Sequence, residues 1–171
     1  MSDSRLRLIA ASGLVVGAVL GMAGTFAPSP SLRGLAWGVD GTALTVAVAL
    51  LTIHHVRRGN DIAAAGFLVF AVGEALILFG SAMDLAASAP SFASGAALWA
   101  AALVLVSTDR VMPRVVRGVG LVAALLLAVV AVQIFSGRML TPLSRPLPFF
   151  AYPFLAATLV GWAWVHYRKA V

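Results

Sequence analysis

Six long apolar segments limit the fold of this chain more than any other feature. They cover residues 8–27, 35–53, 62–83, 88–108, 115–135 and 147–164 of the 171-residue sequence. The hydrocarbon core of a bilayer is about 30 Å thick, so a helix needs roughly 20 apolar residues to cross it. The segments therefore predict an all-α protein, a polytopic bundle of six transmembrane helices.

The composition excludes the other classes of chain. Hydrophobic residues make up 61% of the sequence and charged residues only 11%. In a soluble domain, about 45–50% of the residues are apolar and about 25% are charged. So few charged residues cannot cover the surface of a soluble domain of this size, and a disordered chain would have low hydrophobicity. Because no long stretch remains outside the six segments, residues 1–171 are predicted to form a single integral membrane domain.

The connections and the basic residues predict the topology. Short connections rich in Pro, Gly, Asp and Arg make each helix antiparallel to the next. With the N-terminus in the cytoplasm, nine of the twelve Lys and Arg residues fall on the inner side, as the positive-inside rule requires. We therefore expect both termini to be cytoplasmic, in a bacterial inner membrane. The nine residues are Arg5, Arg7, Arg57, Arg58, Arg110, Arg114, Arg117, Arg168 and Lys169.

The first segment has a second interpretation as a secretory signal. It follows a short basic N-terminal stretch, and a cut after Ala27 would leave five helices. However, its apolar run is longer than the usual 7–15 residues of a signal peptide, and Pro28 would directly follow the cut. A retained helix is therefore predicted.

Glycines recur at helical spacing in two of the segments. Small residues at such spacing let helix backbones approach closely where lipid provides no hydrophobic driving force. We expect these stripes to pack helices within the chain; the alternative is a surface for a partner membrane subunit or a second copy. The glycines are Gly13, Gly17 and Gly21 in the first segment and Gly66, Gly73 and Gly80 in the third.

Two acidic residues lie inside predicted helices. Glu74 is near the middle of the third segment, and Asp40 is in the outer third of the second. A charged carboxylate at the helix centre costs about 2.5–3.5 kcal/mol, and the depths of the two residues differ by only about 5 Å at 1.5 Å per residue. They can therefore share a proton or a cation. In the structural alternative, Glu74 is protonated and hydrogen-bonded to a neighbouring backbone carbonyl or hydroxyl group.

Further candidate residues lie toward the predicted outer side. Ser81 shares a helix face with Glu74, and Asp84 ends the third segment. The long connection over residues 137–148 carries Arg138 and Arg145 among three prolines. It is interpreted either as a lid or anion-attracting vestibule above a site, or as a loop whose arginines contact lipid phosphates.

The three histidines lie at the cytoplasmic ends of their helices. His54, His55 and His166, with Asp61 and Asp109 in nearby connections, offer ligands that Zn²⁺ or another divalent ion accepts. No two of these residues have the i, i+4 spacing of a helical metal motif, and a histidine at a helix C-terminus is already stabilised by the helix dipole. The sequence has no cysteine and no cofactor motif, so no resident cofactor is predicted.

The candidate functions follow from these residues. The sequence contains no nucleophile elbow, Walker loop, dinucleotide fingerprint or zinc-protease motif, which favours a protein that is not an enzyme. The net charge of +6 is explained by topology, so nucleic acid is not an expected partner. Two functions remain: binding or transport of a small solute or ion between the second, third and sixth helices, or an accessory role in a larger membrane complex. An enzyme acting on a lipid would need a catalytic cluster that the sequence lacks.

Overall fold

The computed structural model describes residues 3–80 and 83–170, and these residues form six helices and no strand. The all-α prediction is confirmed. Five of the six helices, all but the last, are long and apolar enough to cross a membrane; the last has 17 residues. The helices are α1 (Asp3–Thr25), α2 (Pro30–Arg57), α3 (Asp61–Gly80), α4 (Ala89–Thr108), α5 (Arg114–Phe135) and α6 (Tyr152–Arg168).

Helix α2 is longer than the apolar segment that predicts it. It begins at Pro30 because Ser29 caps it: the Ser29 hydroxyl accepts a hydrogen bond from the Leu32 N–H at 3.2 Å, and proline suits the first helical position. It ends before Gly59, whose φ of 69° breaks the helix in the left-handed region. The polar residues at both ends of α2 are therefore helical, although they lie outside the apolar segment that hydropathy identifies.

Helix α6 begins five residues later than its predicted start at residue 147. Pro146 and Pro148 supply no backbone N–H and disfavour the helical conformation in the residue before them. Residues 146–151 form turns instead, in which the Phe150 N–H donates to Pro146 O and the Ala151 N–H to Pro148 O. The apolar run continues through these turns, so hydropathy alone placed the helix start too early.

The helices form a closed ring. Each one packs against the helices before and after it in the chain, and α6 packs back against α1. Four buried aromatic side chains, which we call the aromatic column, fill the centre: Trp99 stacks on Phe70, Phe70 contacts Trp162, and Trp162 contacts Phe67 with ring centroids 5.0 Å apart. Aromatic packing of this kind adds to the stability that burial provides.

Both glycine stripes lie where helices meet inside the chain. A Cβ atom added at Gly13 would lie 2.9 Å from the Ala43 carbonyl oxygen of α2. One added at Gly73 would lie 3.0 Å from Leu98 Cβ of α4. The first distance is shorter than real Cβ atoms show, and the second is tighter than most Cβ contacts, so a larger residue at either position would push the helices apart. Gly17 and Gly21 also face α2, and Gly66 and Gly80 face α4.

Candidate functional site between the helices

A cavity of about 110 Å³ lies in the half of the bundle away from the chain termini. Helices α1, α2, α3, α4 and α6 all contribute to its wall, so it extends beyond the three helices that the sequence suggested. The wall is mainly apolar and aromatic, which is typical of sites for small molecules. Its apolar side chains include Trp37, Leu44, Leu78, Phe92, Trp99 and Leu159.

Asp40 and Glu74 both line this cavity. Glu74 is only 2% exposed, and its carboxyl group interacts electrostatically with that of Asp40. Among the residues that the structure describes, neither Glu74 Oε2 nor Asp40 Oδ1 has a hydrogen-bond partner. Burial without a partner is costly for a carboxyl group, so these two side chains are the strongest functional candidates.

Glycines make the space for the two carboxyl groups. A Cβ atom at Gly41, the residue after Asp40, would lie 3.1 Å from Glu74 Oε1. A Cβ atom at Gly21 would lie 2.8 Å from Asp40 Oδ2. The α1 stripe therefore does more than bring two helices together, because it also lets the Asp40 side chain lie between them. In the sequence, the signal for the space beside Glu74 is the Asp-Gly pair at residues 40–41.

The polar groups around the cavity do not neutralise these acids. Trp37 Nε1 donates to the Gly21 carbonyl, and the Tyr152 hydroxyl donates to the Pro142 carbonyl at 2.8 Å. Trp99 Nε1 lies near the Glu74 carboxyl group but does not reach hydrogen-bonding geometry. No Lys, Arg or His occurs among the described lining residues. The carboxyl groups must therefore be protonated or pair with a cation from outside the chain.

The other candidates at this end do not line the cavity. Asp84 accepts hydrogen bonds at 2.9 Å from two backbone N–H groups of its own turn. The Arg145 guanidinium lies 4.2 Å from the centre of the Phe149 ring, and Arg138 is exposed. None of the three is a lining residue. Ser81 falls outside the described residues.

The three histidines form a separate buried cluster at the end of the bundle that carries the termini. One ring nitrogen from each of His54, His55 and His166 lies within 4.8 Å of the other two, and all three side chains are buried. The acid that joins them is Asp3 of α1, whose Oδ1 is 2.7 Å from His54 Nδ1. Asp61 and Asp109, which the sequence suggested, do not belong to this group.

The fold and these two sites define a helical, membrane-embedded protein with an acidic cavity and a separate histidine cluster. No protein-family model matches the chain, and no curated protein or solved structure matches it either.

Proposed function

We propose that this integral membrane protein binds and transports a small solute that has a positive charge and an apolar body. The observation that carries the proposal is the buried Glu74 carboxyl group, which faces the cavity with one oxygen unpartnered in the described part of the chain. Asp40 supplies a second acidic group beside it. A bound cation would compensate the charge of both carboxylates in this mainly apolar site.

The wall of the cavity favours an organic cation over a hard metal ion. Ca²⁺ takes six to eight oxygen ligands, and Mg²⁺ requires six in an octahedral arrangement. The cavity offers two carboxyl groups, whereas most of its wall is hydrocarbon. The aromatic rings of Trp37 and Trp99 line it as well, and aromatic faces attract ammonium groups. A substituted ammonium therefore fits both the charge and the apolar surface.

The proposal includes an antiparallel, six-span topology. The register between α1 and α2 supports it, because Gly13 faces Ala47 whereas the later Gly24 faces the earlier Trp37. Although short, α6 has 17 residues, which is at the lower limit of about 17–25 for a transmembrane helix. Together with the excess of basic residues at one end, this supports a topology with both termini in the cytoplasm of a bacterial cell and the cavity in the outer half of the membrane.

Reporter fusions test this topology. We expect alkaline phosphatase to be inactive when fused after Val171, because the enzyme needs the periplasm, and a fluorescent protein at the same position to be bright. Phosphatase inserted after Met139, which is 77% exposed in the connection before α6, should be active. Phosphatase activity at Val171 would contradict the proposed orientation.

Binding of benzyltrimethylammonium to the purified protein tests the proposed site. Neopentylbenzene is the matched control ligand, since a carbon atom replaces the charged nitrogen. We expect the cation to bind at least about tenfold more tightly than the neutral compound, a difference of about 1.4 kcal/mol. Glu74→Gln should remove this preference, whereas Asp84→Asn, which changes an exposed acid at the same end, should retain it. Equal affinity of wild type and Glu74→Gln would overturn the proposal.

The accessory-subunit alternative loses its main support. It depended on glycine stripes that were free to contact another protein, and both stripes pack against helices of the same chain. A partner subunit or a homo-oligomer stays a prediction that needs a different surface.

A further inference from the structure

We propose that His54, His55 and His166 form a binding site for a divalent transition metal ion such as Zn²⁺. This site is separate from the acidic cavity and does not depend on the proposed transport function. In a tetrahedral zinc site, with Zn–N distances of about 2.0–2.1 Å, the ligand nitrogens are about 3.3 Å apart. His55 Nε2 and His166 Nε2 are already 3.1 Å apart, and the third ring lies within 4.8 Å of both.

The Nδ1 atoms of His54 and His166 already have hydrogen-bond acceptors, which leaves the Nε2 atoms of these rings for a metal ion. Histidine ligands usually donate their other N–H group to a carboxylate or a carbonyl oxygen. His54 Nδ1 is 2.7 Å from the Asp3 carboxylate, and His166 Nδ1 is 2.7 Å from the Trp162 carbonyl. Both acceptors require the proton on Nδ1. In the neutral rings, each Nε2 therefore keeps a lone pair for a metal ion.

His55 can adopt the same protonation state when a metal ion binds. Its Nδ1 faces the side-chain amide of Asn60 at 3.3 Å. Without metal, the Asn60 NH₂ group donates to Nδ1, and His55 Nε2–H donates to His166 Nε2. Metal binding moves the ring proton from Nε2 to Nδ1, and a rotated Asn60 amide accepts it through its oxygen. The ring stays neutral, so no net proton is released.

The position of the site explains what a metal ion would do for the fold. His54 and His55 lie on α2 and His166 lies on α6. The backbones of these two helices pack on α1 and not on each other, although the side chains of His55 and His166 are in contact. A bound ion would therefore strengthen a connection between α2 and α6 that side chains alone make. The described cluster offers three ligands, which leaves a fourth position for water, as in catalytic zinc sites.

The surrounding charges limit the affinity. Arg58 Nη2 lies 2.8 Å from Asp3 Oδ2, and Arg7 Nε lies 3.5 Å from the same oxygen, so Asp3 contributes little net negative charge. Lys169 is also close enough to interact with His55 and His166. Neutral imidazole ligands in positive surroundings predict a weaker site than a cysteine-containing structural zinc site.

Titration of the tag-free, EDTA-treated full-length protein with Co²⁺ tests the proposal. We expect one ion per chain, with the intense visible absorption of tetrahedral Co²⁺ and displacement by Zn²⁺. His166→Asn and His55→Asn should each lose the tetrahedral spectrum. Asp3→Asn should keep the spectrum but weaken binding about tenfold or more, since Asp3 positions a ligand without being one. Asp61→Asn, an exposed acid at the same end of the bundle, is the control and should bind as wild type does.

Thermal unfolding makes the test independent of how well the variants fold. Zn²⁺ should raise the melting temperature of wild type and Asp61→Asn but not that of any folded histidine variant, because an ion that binds only the folded state stabilises it. If both asparagine variants fail to fold, His54→Gln takes their place. Absence of saturable Co²⁺ or Zn²⁺ binding to wild type would overturn the proposal, as would unchanged binding in the histidine variants.

Discussion

Gly17→Leu is expected to lower the melting temperature of the protein by roughly 6–12 °C. A single Cβ atom at Gly17 would already overlap the Leu44 side chain and lie 3.1 Å from Asp40 Oδ1. A leucine adds three further carbon atoms, so α1 and α2 must separate. Overpacking on this scale costs about 3 kcal/mol, and each kcal/mol lowers the melting temperature of a domain of this size by about 2–4 °C. Circular dichroism during heating in detergent measures the effect.

Gly38→Leu is the matched control for this substitution. Gly38 also lies within a long helix, α2, but a Cβ atom added there has nothing within 4 Å. The same leucine should therefore leave the melting temperature within about 2 °C of wild type, since surface substitutions usually change stability by less than about 0.5 kcal/mol. If Gly17→Leu melts like Gly38→Leu, then α1 and α2 do not meet along the glycine stripe.

The positions of the helices could be predicted because a helix needs about 20 apolar residues to cross a bilayer, and such a run is visible in the hydropathy of the sequence. Their ends could not, because those depend on local bonding. Ser29 and Pro30 start α2 five residues before its apolar segment, and the turns at Pro146 and Pro148 delay α6. A capped backbone N–H group decides where α2 begins, and the missing N–H groups of the two prolines delay α6. The hydrophobicity of the residues decides neither.

The acidic pair could be predicted because depth along a helix follows from residue counting, and adjacent helices bring equal depths together. Residue counting along a helix does not predict that the three histidines meet. His55 and His166 are 111 residues apart, and they meet only because α6 closes the ring against α1. The packing of α1 against α2 brings Asp3 to His54. No spacing rule within one helix connects these residues, so the sequence suggested the ligand types but not the acid that orients them.

Glu74→Leu is expected to raise the free energy of unfolding by about 1–3 kcal/mol while abolishing binding of benzyltrimethylammonium. If Glu74 were protonated and hydrogen-bonded, as in the structural alternative, leucine would leave its partner unsatisfied and destabilise the protein. In the structure, Glu74 Oε2 has no partner within the described ranges 3–80 and 83–170. Leucine therefore removes the cost of an unpaired buried carboxyl group, and the nearby Trp99 Nε1 has no hydrogen-bond partner to lose.

Glu74→Gln separates the two effects of this side chain. The amide keeps the shape of glutamate and remains a buried polar group without a partner, so the stability gain seen with leucine should be absent, although binding of the cation should still be lost. Urea unfolding in mild detergent, with tryptophan fluorescence as the signal, measures stability for both variants. If Glu74→Leu is instead less stable than wild type, the carboxyl group stabilises the resting fold through a bound partner. If Glu74→Leu still binds the cation as tightly as wild type does, Glu74 does not recognise the ligand, and the acidic cavity is not its site.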